Sequence, residues 1–383
     1  MPKSTFALET PLRAQLDRLA NFEPTDLPVI SLYLDVRPDQ NGRPRFDTFL
    51  RKWFSEHASS FKGSSPERES FDQDVERINA YLGDDAHVGA NGLAIFACHG
   101  ASLFETIKMN APIEEHWMFV GSVPHLYPLA RVNDQFPRYA AVLADTNSAR
   151  IFVFSLGQVE TEEQVSNVKT RKSSMGGWSQ ARYQRHIENF HQQHMKEVVD
   201  VLDRVAREEA INQIVISCDD VAKPLLTSQL PKHLAEKIVD FVPMDIRSPE
   251  RAVLEETLSA LRAKDAETDK EHVEAMIGAW RAGGLGVVGQ KATLLALGMG
   301  QVEELLITAR PDALRGAKKD PEAADAIAVQ TSAPNADLDA DQLKLAGELV
   351  AKAQATSARI RFIEDPELLR EVGGVGALLR FKI

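Results

Sequence analysis

The chain has 383 residues, a formal net charge of −12 at pH 7 and 44% hydrophobic residues. This length predicts two or three domains, and the apolar content is that of a folded protein with real cores. No run of 18 apolar residues and no signal-peptide core occurs, so we expect a cytoplasmic protein without a membrane partner. The acidic balance argues against a protein that coats DNA.

The first predicted domain, residues 1–135, is a mixed α/β unit. Alternating and apolar runs predict strands, and longer amphipathic runs predict helices. The predicted strands are 27–36, 92–100, 101–109 and 114–123, and the predicted helices are 45–60 and 66–82. The proline-containing, polar stretch 124–138 predicts an irregular boundary before the next domain.

The second predicted domain, residues 137–266, opens with a hairpin. Two β-rich runs flank "DTNSA" at 145–149, whose Asp, Asn and Ser favour a tight turn. Alternating elements follow: a helix from Ala181 to about Glu208, strands at 212–218 and 238–244, and helices at 223–237 and 249–264. Strands that alternate with helices are typical of an α/β layered fold.

The third predicted domain, residues 268–383, is a small α/β sandwich. We expect helices at 270–284, 289–301 and 339–356, strands at 302–308, 358–364 and 376–383, and a loop over 311–338. The G-x-G-x-x-G at Gly284, Gly286 and Gly289 follows a helix, whereas the dinucleotide motif follows a strand. It is therefore interpreted as a helix–helix connector, and no cofactor is predicted.

One segment has a net charge opposite in sign to that of the whole chain. Between Lys169 and Lys196 six basic residues stand against Glu188 alone. A local reversal of this kind favours contact with a polyanion, and a solvated basic helix face is the alternative.

The helix predicted from Ala181 has two distinct faces. One side carries the apolar residues Ile187, Phe190, Met195, Val198, Leu202 and Val205. Arg182, Arg185 and Lys196 fall on the opposite side, which faces solvent if the apolar stripe covers a sheet. Ser179 is a candidate N-cap, so the loop before it lies over a positive helix end that suits phosphate.

The same helix carries His186, His191 and His194. No cysteine and no clear carboxylate partner accompanies them, so neutral core histidines are favoured over a metal site. No metal ligand set is predicted anywhere in the chain.

Three stretches resemble a known family. They are "GGWSQARYQR" (176–185), "ATLLALGMGQVEELLIT" (292–308) and "GGVGALLRF" (373–381). Together with the domain order they resemble the bacterial branch of the archaeo-eukaryotic class-1 release factor and Pelota superfamily. The resemblance implies a ribonuclease H-like middle domain and a C-terminal sandwich like that of kink-turn-binding proteins.

Two departures from the family pattern bear on function. Release factors proper carry an uninterrupted Gly-Gly-Gln, whereas Trp178 and Ser179 here separate Gly177 from Gln180. The Asn-Ile-Lys-Ser motif of stop-codon decoding is absent. The resemblance therefore implies a role independent of codon identity, as in release-factor-like peptidyl-tRNA hydrolases of ribosome quality control.

The resemblance also assigns roles to the loop. Gln180, with Gly176 and Gly177, would place water against the ester of peptidyl-tRNA and stabilise the oxyanion. The residues expected to contact RNA are Arg171, Lys172, Trp178, Ser179, Arg182 and Arg185. The arginines would bind phosphates, and the tryptophan would either stack on a base or pack beneath the loop.

Three functions remain open from the sequence. The first is codon-independent hydrolysis of peptidyl-tRNA on stalled ribosomes. The second is A-site binding without chemistry, as in ribosome hibernation or rescue factors, and the third is RNA binding unrelated to the ribosome. The expected partners are the ribosome, ribosomal RNA and the tRNA acceptor end, and the resemblance admits a translational GTPase as a further partner.

Overall fold

The computed structural model describes residues 12–40, 45–84, 88–166, 179–315, 330–331 and 340–382. The chain forms two compact units. One unit combines residues 1–134 with 269–383, and the other spans Gln135–Thr268. The structure is mixed α/β with three sheets, which confirms the predicted fold class. The division into three domains with the predicted bounds stays a prediction.

The N-terminal half of the first unit is built on a five-stranded sheet of order β12-β4-β1-β2-β3, in which β12 (Gln330–Thr331) comes from the C-terminal half. Its elements are α1 (Leu12–Ala20), β1 (Val29–Asp35), α2 (Asp47–Ser60), α3 (Pro66–Gly83), β2 (Gly92–Cys98), β3 (Leu103–Met109), β4 (Trp117–Gly121) and α4 (Tyr127–Gln135). Strand β1 is buried throughout, and its residues Ile30, Leu32 and Leu34 share a core with side chains of α2 and α3. The buried Asp74 of α3 accepts a hydrogen bond from the backbone N–H of His99, which fixes α3 to the end of β2.

The C-terminal half of this unit has a four-stranded sheet of order β10-β14-β11-β13. Its elements after the long helix α8 (Glu250–Arg281) are β10 (Gly286–Val288), α9 (Gln290–Gly298), β11 (Val302–Thr308), β12 (Gln330–Thr331), α10 (Ala340–Ala355), β13 (Arg359–Ile363), α11 (Pro366–Leu369) and β14 (Val375–Leu379). Strand β11 runs parallel to β13 and antiparallel to β14.

The two halves of the first unit are joined by direct contacts. Strand β12 comes from the C-terminal half but pairs with β4 of the N-terminal sheet. The Tyr127 hydroxyl donates to the Ala309 carbonyl at 3.1 Å, and Arg131 pairs with Glu364 at 2.5 Å. A Cβ at Gly347 of α10 would lie 2.4 Å from Nδ1 of the buried His125, so only glycine permits this approach. These contacts explain why both halves fall in one compact unit.

The second unit is a five-stranded sheet of order β7-β6-β5-β8-β9 with helices on both faces. Its strands are β5 (Tyr139–Ala144), β6 (Ser148–Ser155), β7 (Gln158–Ser166), β8 (Ile214–Cys218) and β9 (Ile238–Phe241), and its remaining helices are α5 (Ser179–Glu208), α6 (Ala222–Gln229) and α7 (Lys232–Ala235). Strands β5, β6 and β7 form an antiparallel meander, and β8 lies parallel to β5 and β9. Helices α5 and α6 cover one face, and the first turns of α8 cover the other.

Several predicted boundaries were wrong. Residues 127–135 form helix α4 instead of the predicted irregular boundary. Pro128 is compatible with the helix because it lies in the first turn, where a backbone N–H group has no partner within the helix. The two helices predicted at 249–264 and 270–284 are one helix, α8, since no proline interrupts it. The helix predicted over 223–237 instead breaks before Pro231 into α6 and α7. Strand β7 was not predicted.

The glycine motif after α8 was predicted to be a helix–helix connector, and this prediction was wrong, because the motif contains strand β10. A Cβ at Gly286 would lie 2.4 Å from the Met276 carbonyl oxygen, so glycine allows the strand to approach α8 closely. Gly289 has φ +79° and immediately precedes α9. Close packing and one left-handed residue therefore account for this motif.

Candidate functional site

The predicted functional loop joins the last strand of the β-meander to helix α5. Strand β7 ends at Ser166, which pairs with Ser148 at the start of β6. Helix α5 begins at Ser179. The predicted site residues Arg171, Lys172, Gly176, Gly177 and Trp178 lie outside the described residues, so their roles stay predictions.

Helix α5 starts two residues earlier than predicted. Ser179 and Gln180 belong to its first turn, so Ser179 is a helical residue rather than the predicted cap preceding Ala181. The first four backbone N–H groups of an α-helix have no partner within the helix. They provide a positive end next to the predicted catalytic glutamine, where an anion is stabilised.

Among the side chains of α5 that the structure describes, full burial begins at His194. Met195, Val198, Leu202 and Val205 are buried in the core between α5 and the sheet, which confirms these members of the predicted apolar stripe. Towards the start of the helix, Ile187 and Phe190 are only half-buried. From Gln180 to His194, the first of the described α5 side chains that is fully buried, the helix rises about 21 Å at 1.5 Å per residue. We call residues 179–193 the arm, which separates Gln180 from His194 by this distance along the helix axis.

The basic face of the arm follows from helix periodicity. Lys196 is exposed, as predicted. At about 100° per residue, Arg182 and Arg185 lie within about 40° of Lys196 around the helix axis. The side chains of residues 179–186 lie outside the described part, so contacts of Arg182 and Arg185 stay predictions.

A tight turn supports the sheet where the loop departs. The predicted "DTNSA" turn joins β5 to β6. The Asp145 Oδ1 atom accepts hydrogen bonds from the backbone N–H groups of Asn147 at 2.7 Å and Ser148 at 2.8 Å. This closed turn holds Ser148, the residue opposite Ser166, in a fixed geometry.

The buried histidine of α5 lies against the same turn. His194 is fully buried and has a hydrogen bond with the Ser148 backbone. Burial lowers the pKa of His194, because the charged imidazolium is poorly solvated there. His191 is half-buried. The described residues contain no group of three or more His, Cys, Asp or Glu side chains placed to hold a metal ion.

The contact between His194 and the turn was not predicted from the sequence. The histidine and the turn were each recognised, but they lie 46 positions apart between His194 and Ser148. Helix periodicity places His194 on the apolar face, yet nothing in the spacing identifies its partner.

A second notable surface lies at one end of the C-terminal sheet. Five large apolar side chains there are between 43 and 64% exposed: Trp280, Leu285, Leu295, Met299 and Phe381. Backbone hydrogen bonds tie the end of β14 to the residues just before β10 and β11, which brings these side chains to the same end of the sheet. Exposed apolar surface of this kind marks an interaction site.

No helix in the described part of the chain is long and apolar enough to cross a membrane.

Comparison with known proteins identifies the middle of the chain. Residues 124–262 match the family model described as "Bacterial archaeo-eukaryotic release factor family 10". The chain is also 24% identical over 261 residues to peptide chain release factor subunit 1 of Aeropyrum pernix. That match covers 63% of this chain and 60% of the relative, so it spans less than two thirds of the relative's length.

Solved structures give weaker similarities. The structure of Saccharomyces cerevisiae Dom34, described as a translation termination-like factor, has 9% identity and a TM-score of 0.40, covering 76% of this chain and 80% of that chain. Archaeal Pelota, from a model of ribosome-bound Pelota and ABCE1, has 12% identity and a TM-score of 0.40, covering 98% and 96%.

The family match spans α4 and almost all of the second unit, including the loop and the arm. The sequence match to an archaeal release factor subunit agrees with it and with the resemblance of the loop residues. Residues 124–262 are similar to this bacterial release factor family, which supports the predicted resemblance to the release factor and Pelota superfamily.

Proposed function

We propose that this protein associates with ribosomes and hydrolyses peptidyl-tRNA on stalled ribosomes without reading a codon. The observation that carries the proposal is the arm, which holds Gln180 about 21 Å along α5 from its buried seat at His194. A catalytic group that enters a deep RNA cavity needs such an extension, because the five-stranded sheet of the second unit is too wide to enter the same cavity.

The chemistry requires little of the protein beyond positioning. Water attacks the ester carbonyl, the bond between that carbon and the tRNA ribose oxygen breaks, and a proton passes to the ribose oxygen. A glutamine amide is not a base near neutral pH, but Gln180 can orient the water and donate a hydrogen bond to the oxyanion. Gly176 and Gly177 allow the backbone to approach the RNA without a Cβ in the way.

RNA binding is assigned to the charged and aromatic residues around the loop. Arg182 and Arg185 share the exposed helix face with Lys196, where they can reach phosphates of ribosomal RNA or of the tRNA acceptor end. Arg171 and Lys172 extend the basic segment on the other side of the glycines, and Trp178 has a flat surface suited to a base.

A peptide-release assay tests the proposal. Purified wild type is added to stalled ribosome complexes that carry labelled peptidyl-tRNA, and released peptide is measured against time. We expect Gln180→Ala to release peptide about 10²–10³ times more slowly with ribosome affinity little changed. Gln184→Ala is the matched control, since it removes the same side chain one helical turn further along the arm.

The alternative is A-site occupancy without chemistry, as in a hibernation or rescue factor. Wild type that binds stalled and vacant ribosomes firmly and releases no peptide establishes this alternative in place of hydrolysis. The match of residues 124–262 to a release factor family argues against RNA binding unrelated to the ribosome. Wild type that neither binds nor releases would refute both ribosomal functions.

A translational GTPase is a further proposed partner. The described surface best suited to a protein partner is the exposed apolar end of the C-terminal sheet, where Leu295 and Met299 lie one helical turn apart. We expect the double substitution Leu295→Glu and Met299→Glu to abolish binding of a purified translational GTPase, measured by calorimetry. Val221→Glu, at an exposed apolar residue of the other unit, is the control.

A further inference from the structure

His194 occupies the point where both ends of the loop-bearing segment leave the sheet. Strand β7 makes its last pairing there, between Ser166 and Ser148. Among the described side chains of α5, full burial begins at the same level: His194 has a hydrogen bond with the Ser148 backbone, and the adjacent Met195 shares a buried cluster with Ala149, against which Val165 of β7 packs. The imidazole of His194 therefore lies against the turn that begins at Asp145, and the last residue of β7 pairs with the residue that ends this turn.

The turn beneath His194 is rigid. Asp145 accepts two backbone hydrogen bonds and also one from the Ser148 hydroxyl at 3.2 Å. The Asp145 N–H in turn donates to the Ser148 carbonyl at 2.9 Å. Because these hydrogen bonds hold the turn in one geometry, the turn can fix the orientation of the His194 side chain that binds to it.

The charged and titratable groups near His194 are few. Asp145 on the turn and Glu197 and His191 on α5 act on its imidazole, and burial outweighs them in lowering its pKa. A neutral imidazole has one N–H donor and one acceptor nitrogen, so the ring can hold a fixed tautomer against the turn.

We propose that His194 is a positioning residue that sets the direction in which the arm leaves the sheet. The inference rests on the proposed function for its catalytic consequence. A helix is stiff, so a small rotation at its seat is multiplied along its length. With about 21 Å between His194 and Gln180, a tilt of about 5° moves the glutamine by about 2 Å. A misplacement of about 1 Å can already cost about 10²-fold in rate.

Two kinds of substitution separate positioning from packing. His194→Leu and His194→Phe keep an apolar core residue but remove the hydrogen-bonding nitrogens. His194→Asn is smaller and retains an amide donor near the position of the ring nitrogen Nδ1. His191→Leu is the control, because this histidine is only half-buried and lies one turn nearer the tip.

The direction of the arm is measured independently of catalysis. Spin labels are attached at Glu188→Cys on the arm and Gln164→Cys on β7, both exposed, in full-length protein with Cys218→Ser; Cys98 is buried. We expect a single narrow distance distribution by double electron–electron resonance for wild type, His191→Leu and His194→Asn. We expect His194→Leu and His194→Phe to broaden the distribution at least about twofold. Should the leucine variant not fold, the phenylalanine variant decides.

Peptide release gives the second measurement. We expect the leucine and phenylalanine variants to lose about 10- to 100-fold in the rate of release at saturating ribosome complex, with ribosome affinity within about twofold of wild type. Narrow distance distributions in both His194→Leu and His194→Phe would overturn the inference and show that His194 is a packing residue. Broad distributions together with a wild type that releases no peptide would sustain the inference about the arm and overturn the proposed hydrolysis.

Discussion

The length of the arm gives a direct test of how the protein works. Deleting residues 183–189 removes seven residues from the first half of α5. At 1.5 Å and about 100° per residue, the helix becomes about 10 Å shorter and turns about 20° short of two full turns. Gln180 thus keeps nearly the same direction relative to the sheet but loses half of its reach.

The expected effect on function is large and the effect on stability small. Misplacing a reacting group by about 1 Å can cost about 10²-fold, so a 10 Å retraction should reduce peptide release to the uncatalysed level. Glu188 and Asn189 are exposed and Ile187 is half-buried. The described side chains that the deletion removes are therefore not buried, and we expect their loss to lower the midpoint of thermal unfolding by about 2–4 °C.

The deletion also removes Arg185, so reach has to be separated from side-chain chemistry. A full-length variant with alanine at all seven positions 183–189 loses the same side chains and keeps the length. We expect this variant to release peptide in the assay of stalled ribosome complexes, with weaker ribosome binding. Release by the shortened protein at the rate of the alanine variant would refute the argument that the arm delivers the glutamine.

Three further predictions concern binding, packing and pH. Replacing Arg182 and Arg185 together by glutamate should weaken ribosome co-sedimentation and reduce its salt dependence, because fewer counterions are released; an unchanged salt series contradicts the basic face. Leu202→Ala should lower the free energy of unfolding in urea by about 2–5 kcal/mol, whereas Val201→Ala, at a half-buried site, should cost clearly less. Burial raises the pKa of Asp74 to about 6, above its unfolded value of 3.8, so the folded state retains the proton longer and stability falls as pH rises between about 4 and 6. Asp74→Asn should remove this component, at most about 3 kcal/mol, and an identical pH–stability curve for wild type and variant would contradict it.

The sequence predicted well those elements whose pattern is local. Alternation and apolar runs located the central strands of all three sheets, and the spacing of Met195, Val198, Leu202 and Val205 identified the buried face of α5. These features depend on one segment facing one core, so the period of the pattern suffices.

The errors arose where distant contacts decide the structure. Strand β7 alternates exposed and half-buried residues on a sheet edge, and its partner β6 determines that it is a strand. Strand β12 forms against β4 of the other half of the first unit, more than 200 residues away. The junction at His194 depends on the fold bringing a turn and a helix together, which no spacing in the chain reveals.

The distribution of charge bears on the proposed binding to RNA. The whole chain has a net charge of −12, yet the segment from Lys169 to Lys196 carries six basic residues and one acidic residue. A polyanion attracts this segment and repels the rest of the molecule, so encounters with the arm foremost are favoured. Strand β7, which leads into the segment, keeps its acidic residues paired: Glu162 with Arg150 at 2.9 Å and Glu163 with Arg204 at 3.2 Å. Pairing reduces the repulsion between this strand and phosphates beside the loop, whereas an acidic body resists binding in any other orientation. Under the proposed function, an arm that is long, basic and fixed at one end would therefore combine selection of the docking orientation with delivery of Gln180, and neither would require the body to contact RNA bases.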